Sequence, residues 1–472
     1  MESPQYWLTR LVFQRALAGT YLVAFAIALN QTRPLIGENG LNPIRIFLRY
    51  VRFWDAPSLF WINNSDQALL ALAALGIGLA LFAMSGLSES FGLWVSMLTW
   101  ASLWLLYLSF VNVGQVFYGF GWETLLLETG FLAIFFGSAD IAPPTLIIWL
   151  LRWVLFRVMF GAGMIKLRGD PCWRDLTCMV YHYETQPLPN PVSWYLHRLP
   201  VWVHKIEVAF THFVEIVVPF AYFAPVPIRW IAGLLTVTFQ TSLIVSGNLS
   251  WLNYITLVLT VSCFDDSFFI KFLPVSIPSA LDRMNWFHNG VIGALGLLVG
   301  LLSIKPVRNL LSSRQMMNTS FDPLHLVNTY GAFGSITRTR YEVVLQGTSE
   351  RGPDAKWLEY EFKGKPGDVM RRPCIVSPYH YKLDWQMWFA AMSSYQNHPW
   401  ILNLVQKLLM NDAGILSLMG ENPFPDKAPL YIRAELYEYH FTRDSDSKTW
   451  WERKRVGGYL PPLSLDDLKT IE

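Results

Sequence analysis

TLIIWLLRWVLFRVMFGAGMIK, residues 145–166, is long enough as a helix rising 1.5 Å per residue to cross about 30 Å of hydrocarbon. Similar apolar stretches occupy 12–30, 67–84, 91–112, 120–137, 204–224, 228–247, 250–264 and 286–304. The predicted fold is therefore a polytopic α-helical membrane bundle of about nine spans, and an odd number puts the two chain ends on opposite sides. The opening MESPQYWLTR has neither a basic region nor a small-residue cleavage site, so the first span reads as retained.

The composition agrees and adds a division. The 472 residues are 53% hydrophobic and 15% charged, with a mean hydropathy of +0.29, whereas soluble domains carry about 25% charge. Lys and Arg number 37 and Asp and Glu 35, and 37 of these 72 lie from Asn318 onward. A multi-span transmembrane domain, 1–310, is thus joined to a soluble α+β domain, 318–472. The net charge of +2 argues neither for nor against any partner, and the lack of a long basic run sets nucleic acid aside.

Two extramembrane loops, 31–66 and 167–203, interrupt the spans. In the first, Ile44–Trp54 is expected as an interfacial helix with Arg45, Arg49 and Arg52 on its polar side. The second is rich in Trp, Tyr, His and Pro and suits a lid at the membrane–water interface. Positive-inside bias is weak, because Arg33, Arg45, Arg49 and Arg52 crowd the first loop. With a cytoplasmic N-terminus, the second loop and the C-terminal domain face the lumen or periplasm, where a disulfide persists.

Ionisable residues inside lipid-crossing helices are costly, so each is a candidate functional group. Glu207, Thr211 and Glu215 fall within about 80° on an ideal helix, with His212 about 60° beyond. Arg152 and Lys166 lie about 40° apart on the fifth span. The simplest arrangement pairs such cations with Glu123, Glu128, Glu207 or Glu215. Lys166, after Gly161-Ala162-Gly163, is either a desolvated base or a lysine snorkelling from a helix end. Cys172 and Cys178 have no metal-site spacing; a structural disulfide and a redox pair are the alternatives. No metal ligand set is assigned.

In the soluble third, RYEVVLQGTS and KWLEYEFKGK read as strands, 383–392 and 398–410 as helices, and APLYIRAELYEYHFT as a last strand. The tail with Glu452-Arg453-Lys454-Arg455 and Pro461-Pro462 reads as exposed and loosely held. There is no G-x-S-x-G elbow, H-E-x-x-H or P-loop. PYHYKLDWQMWF is an aromatic core or a partner surface.

GFGWETLLLETGFLA (119–133), GAGMIKLRGDPCWRDLTC (161–178), YHYETQPLPNPVSWYLHRLP (181–200) and RRPCIVSPYHYKLDWQMWF (371–389) together resemble the lipase maturation factor family. The resemblance implies a multi-pass protein of the endoplasmic reticulum membrane, or of a bacterial inner membrane, that assists folding and assembly of secreted lipases. It implies a client lipase as partner in a eukaryote, the client of a bacterial member being unknown. It also implies client binding by the C-terminal region, which points to Tyr379, His380, Trp385 and Trp388. More distantly, Gly163-Met164-Ile165-Lys166-Leu167 is similar to the segment carrying the catalytic lysine of vitamin K-dependent γ-glutamyl carboxylase, of the horizontally transferred transmembrane superfamily. That likeness implies a quinone-like or lipid cofactor with Lys166 as base; Glu123, Glu128 and His212, ionisable residues of the spans, are the other catalytic candidates. Where that enzyme's preceding span begins with a histidine motif, this sequence has Gly119-Phe120-Gly121-Trp122-Glu123.

Overall fold

The computed structural model describes residues 5–278, 280–282, 285–443 and 448–469. Seven helices among them are long and apolar enough to cross a membrane. They are α1 (Trp7–Ile36), α2 (Asp66–Ser85), α3 (Leu93–Val113), α5 (Thr145–Arg168), α6 (Val201–Phe223), α7 (Ile228–Ser246) and α9 (Trp286–Leu311). The other two expected spans form shorter helices, α4 (Gly121–Ala133) and α8 (Leu252–Cys263).

Contacts at their ends show that the short helices still run from face to face. On the far face, Trp7 Nε1 donates to the Ala139 carbonyl (2.7 Å), and Asp266 accepts the N–H groups of Trp7 (2.9 Å) and Leu8 (2.7 Å). On the opposite face, Phe120 packs on His380 and Ser377 Oγ donates to the Ser250 carbonyl (2.7 Å). The chain therefore passes from 120 to 139 and from 250 to 266 between the same two faces as α1. Almost all of α4 is buried, so protein surrounds it and its length need not match the bilayer. Close packing sets these crossings: a Cβ on Gly76 would run into the Phe25 ring of α1, and one on Gly130 into Tyr21 Oη.

The C-terminal domain sits on the face reached by the end of α1. Strands β1 (Arg340–Thr348), β2 (Leu358–Glu359), β5 (Tyr431–Phe441) and β6 (Trp451–Leu463) form an antiparallel sheet in the order β2-β1-β5-β6. Strands β3 (Glu361–Phe362) and β4 (Met419–Glu421) make a separate pair. KWLEYEFKGK is thus divided between two sheets, and not one strand. Helices α10 (Lys382–Ala390) and α11 (Trp400–Leu409) follow the expected boundaries to within two residues at every end.

Two expectations are corrected. The tail read as loosely held is β6, paired with β5 from Phe441↔Trp451 to Ile432↔Leu463. Its Pro461 and Pro462 are tolerated because β6 is an edge strand with register shifts, and Arg453 clamps Glu359 at 2.8 and 3.0 Å. The interfacial helix expected over 44–54 is helical only at Ile44–Phe47; turns follow, leaving Tyr50 and Trp54 84% and 79% exposed.

Seven long helices and the two short ones make nine passes among the described residues, so α1 begins on the face opposite the C-terminal domain. In sealed vesicles, an epitope at one terminus should be digested by added protease and one at the other protected; equal digestion of both would contradict the threading.

Candidate functional site at the bundle–domain junction

The domain is keyed into the bundle by a lysine that sequence reading passed over. Gln31, near the end of α1, donates to the His380 carbonyl (2.7 Å) and accepts from the Lys382 N–H (3.0 Å), aligning the start of α10. Lys382 then reaches into the bundle, where Nζ meets Glu123 Oε1 at 2.7 Å and the Phe117 carbonyl at 3.0 Å. Its ammonium lies 3.6 Å from the centroid of the Tyr118 ring, and Tyr107 Oη donates to Glu123 Oε2. Lys382 and Glu123 are both wholly buried. Beside them His380 is enclosed by Phe120, Trp122, Trp251 and Trp385, with ring centroids 4.7–6.1 Å away. Neither of its ring nitrogens has a partner among the described residues.

A second buried pair holds α5 on α6. Lys166 Nζ meets both oxygens of Glu215, at 2.6 and 2.7 Å. Glu215 lies in a π-turn, Phe213–Val217, which breaks the regular face expected for Glu207, Thr211 and Glu215. Glu207 instead accepts from Tyr183 Oη (3.0 Å) and meets His204 Nδ1 (2.9 Å). Gly163 permits the approach, since a Cβ there would lie 2.6 Å from Ile216. Lys166 also stands 5.4 Å from the Trp173 ring, and His212 Nε2 lies 3.0 Å from the Trp173 carbonyl. Trp173 sits within the small loop closed by the Cys172–Cys178 disulfide. Next to it, burial and Lys166 push His182 down to about 4.

The third pair, Arg157 with Glu128, accepts the interdomain segment. Glu128 Oε2 takes Tyr330 Oη (2.6 Å) and the Asn328 N–H (3.0 Å), while Arg157 donates to the Asn328 carbonyl (2.6 Å). Among the described residues Arg152 pairs with no carboxylate; it donates to the Ser262 carbonyl (2.9 Å) and Tyr6 Oη (3.1 Å). Glu123, Glu128 and Lys166–Glu215 are therefore three separate stations, and His212 joins only the last.

The chain matches the lipase maturation factor transmembrane domain over residues 8–271 and the lipase maturation factor C-terminal domain over 326–461. It belongs to the lipase maturation factor family. Human lipase maturation factor 1 is 47% identical over 99% of this chain and 90% of its own length, and mouse lipase maturation factor 2 is 31% identical over 98% and 84%. No solved structure matches.

Within this family member, the four aromatic residues expected to meet a client do not form one open surface. His380 and Trp385 are buried at the junction. Tyr379 and Trp388 are half-buried, bonded to Asn30 (3.2 Å) and the Thr185 carbonyl (3.1 Å).

Lys382→Ala leaves Glu123 buried without its partner and should destabilise the protein by about 3–5 kcal/mol. The Lys382→Met/Glu123→Gln double variant should recover most of that in thermal unfolding; additive losses would mean the two do not interact. His380 supplies a pH test. Burial, with Lys382 nearby, holds its pKa well below 6.5, so the folded state keeps it neutral while the unfolded chain protonates near 6.5. Its share of stability is present above about pH 6.5 and lost as pH falls below it. His380→Phe should therefore show a smaller drop in melting temperature between pH 7 and 5 than the wild type, and parallel curves would refute this.

Proposed function

We propose that this chain is a lipase maturation factor of the endoplasmic reticulum membrane that assists folding and assembly of a secreted lipase on the face carrying its C-terminal domain, with the N-terminus cytoplasmic. The observation that carries this reading is the near full-length identity to human lipase maturation factor 1. The Cys172–Cys178 bond supports the orientation, because it lies in the loop on the domain's face and disulfides persist in an oxidising compartment. Closing so short a loop contributes about 2 kcal/mol in the chain-entropy account. Tyr379 and Trp388, whose rings keep part of their surface open, carry the client-contact proposal; His380 and Trp385 position the domain.

The second reading makes Lys166 a base toward a quinone-like cofactor. Its amine already holds both Glu215 oxygens, and we assign the pair to fixing α5 on α6. One experiment separates the two. In cells lacking other family members, a co-expressed dimeric lipase should be secreted active with wild-type chain. Lys166→Ala should reduce this along with protein level, through an unpaired Glu215 worth about 3–5 kcal/mol. Lys166→Met/Glu215→Leu should restore both. A double variant of wild-type abundance and melting temperature without active lipase would favour the base.

A further inference from the structure

An apolar groove of about 390 Å³ opens on the outer side of the bundle between α1 and α8. Ala16, Gly19 and Val23 form its α1 wall, and Tyr254, Leu257 and Val261 its α8 wall. These residues are part-exposed or exposed on two lipid-crossing segments, so the medium that meets them is hydrocarbon and not water. A Cβ on Gly19 would touch nothing within 4 Å, which marks the groove's floor as open space.

The groove ends at Pro378 on the domain side, and the next residue, Tyr379, lines a second cavity of about 320 Å³ with Asn30, Lys363, Tyr381 and Asp384. Asn30 lies seven residues beyond Val23 on α1, about 10 Å farther along and within about 20° of the same stripe. Asn30 Nδ2 bonds Tyr379 Oη at 3.2 Å, joining the walls of the two spaces. The apolar trough along α1 and the polar chamber thus adjoin at Pro378 and Tyr379, toward the end of α1.

The chamber's chemistry is zwitterionic. Asp384 is buried, and its Oδ1 accepts the N–H groups of Gly364 (2.6 Å) and Lys365 (3.0 Å), while no described group donates to Oδ2. The nearest cations are engaged elsewhere, Lys365 with Glu342 (2.9 Å) and Arg371 with Glu361 (3.3 Å). Lys363 is exposed and, among the described residues, its ammonium donates to one carbonyl, that of Ser417, leaving donors for an anionic oxygen. Tyr379 and Tyr381 add hydroxyl groups.

We propose that these two spaces are one binding site for a zwitterionic glycerophospholipid bearing a primary amine. Its acyl chain lies between α1 and α8, its phosphate meets Lys363 and the tyrosine hydroxyl groups, and its ammonium meets Asp384. A choline head has no N–H for Asp384, and a glycerol head carries no cation, so the site prefers the amine. The inference rests on the membrane reading alone and stands whether or not a lipase is the client.

The test is native mass spectrometry of the full chain reconstituted with equal parts dioleoyl phosphatidylethanolamine, phosphatidylcholine and phosphatidylglycerol. The wild type should retain the ethanolamine lipid several-fold over the other two. Gly19→Trp, which fills the trough from an open position, and Lys363→Glu, at an exposed one, should each abolish that preference without moving the melting temperature. Equal retention of the three lipids, preference for phosphatidylglycerol, or unchanged preference in both variants would overturn the proposal.

Discussion

A charge buried in a lipid-crossing bundle must be met by an opposite charge and by hydrogen bonds, and the Lys382–Glu123 contact is where that requirement shapes this molecule most. Each ion alone would cost several kcal/mol to bury, so neither is tolerable without the other. Because Lys382 belongs to the C-terminal domain and Glu123 to α4, the requirement becomes a docking rule. The domain has one seat on the bundle, and Gln31 and the aromatic cage around His380 reinforce it. Glu128 with Arg157 repeats the device for the interdomain segment through Asn328 and Tyr330.

This architecture gives a physical form to the maturation role. A factor that handles a client beside the membrane benefits from a surface held at a set height and angle, and buried polar contacts specify orientation better than apolar ones. Two of the three stations described above serve that purpose. At the third, Lys166–Glu215 braces α5 against α6, beside the loop that the disulfide closes.

Much of this was legible. The hydropathy of 145–166 and its counterparts located the seven helices long and apolar enough to cross a membrane, and the fourth and eighth stretches emerged as shorter helices whose ends meet the same two faces. Glu123, Glu128, Lys166 and Glu215 stood out as carboxylates and cations in apolar surroundings. The partner of Glu123 did not. Lys382 looks like an ordinary helix-start lysine in a soluble domain, and only its 259-residue reach to Glu123 gives it meaning. Strand β6 was missed because its Arg, Lys and Pro residues read as solvated, as an edge strand's do.

By itself, the sequence determined that the chain crosses a membrane repeatedly, carries a separate α+β domain and belongs with the lipase maturation factors. Those properties follow from local composition and from motifs that are contiguous in the chain. Which charges pair, where the domain docks and whether His380 faces a client or a cage were decided by tertiary structure alone. Pairing depends on distances between segments tens to hundreds of residues apart, and hydropathy, helical period and residue type carry no information about those distances.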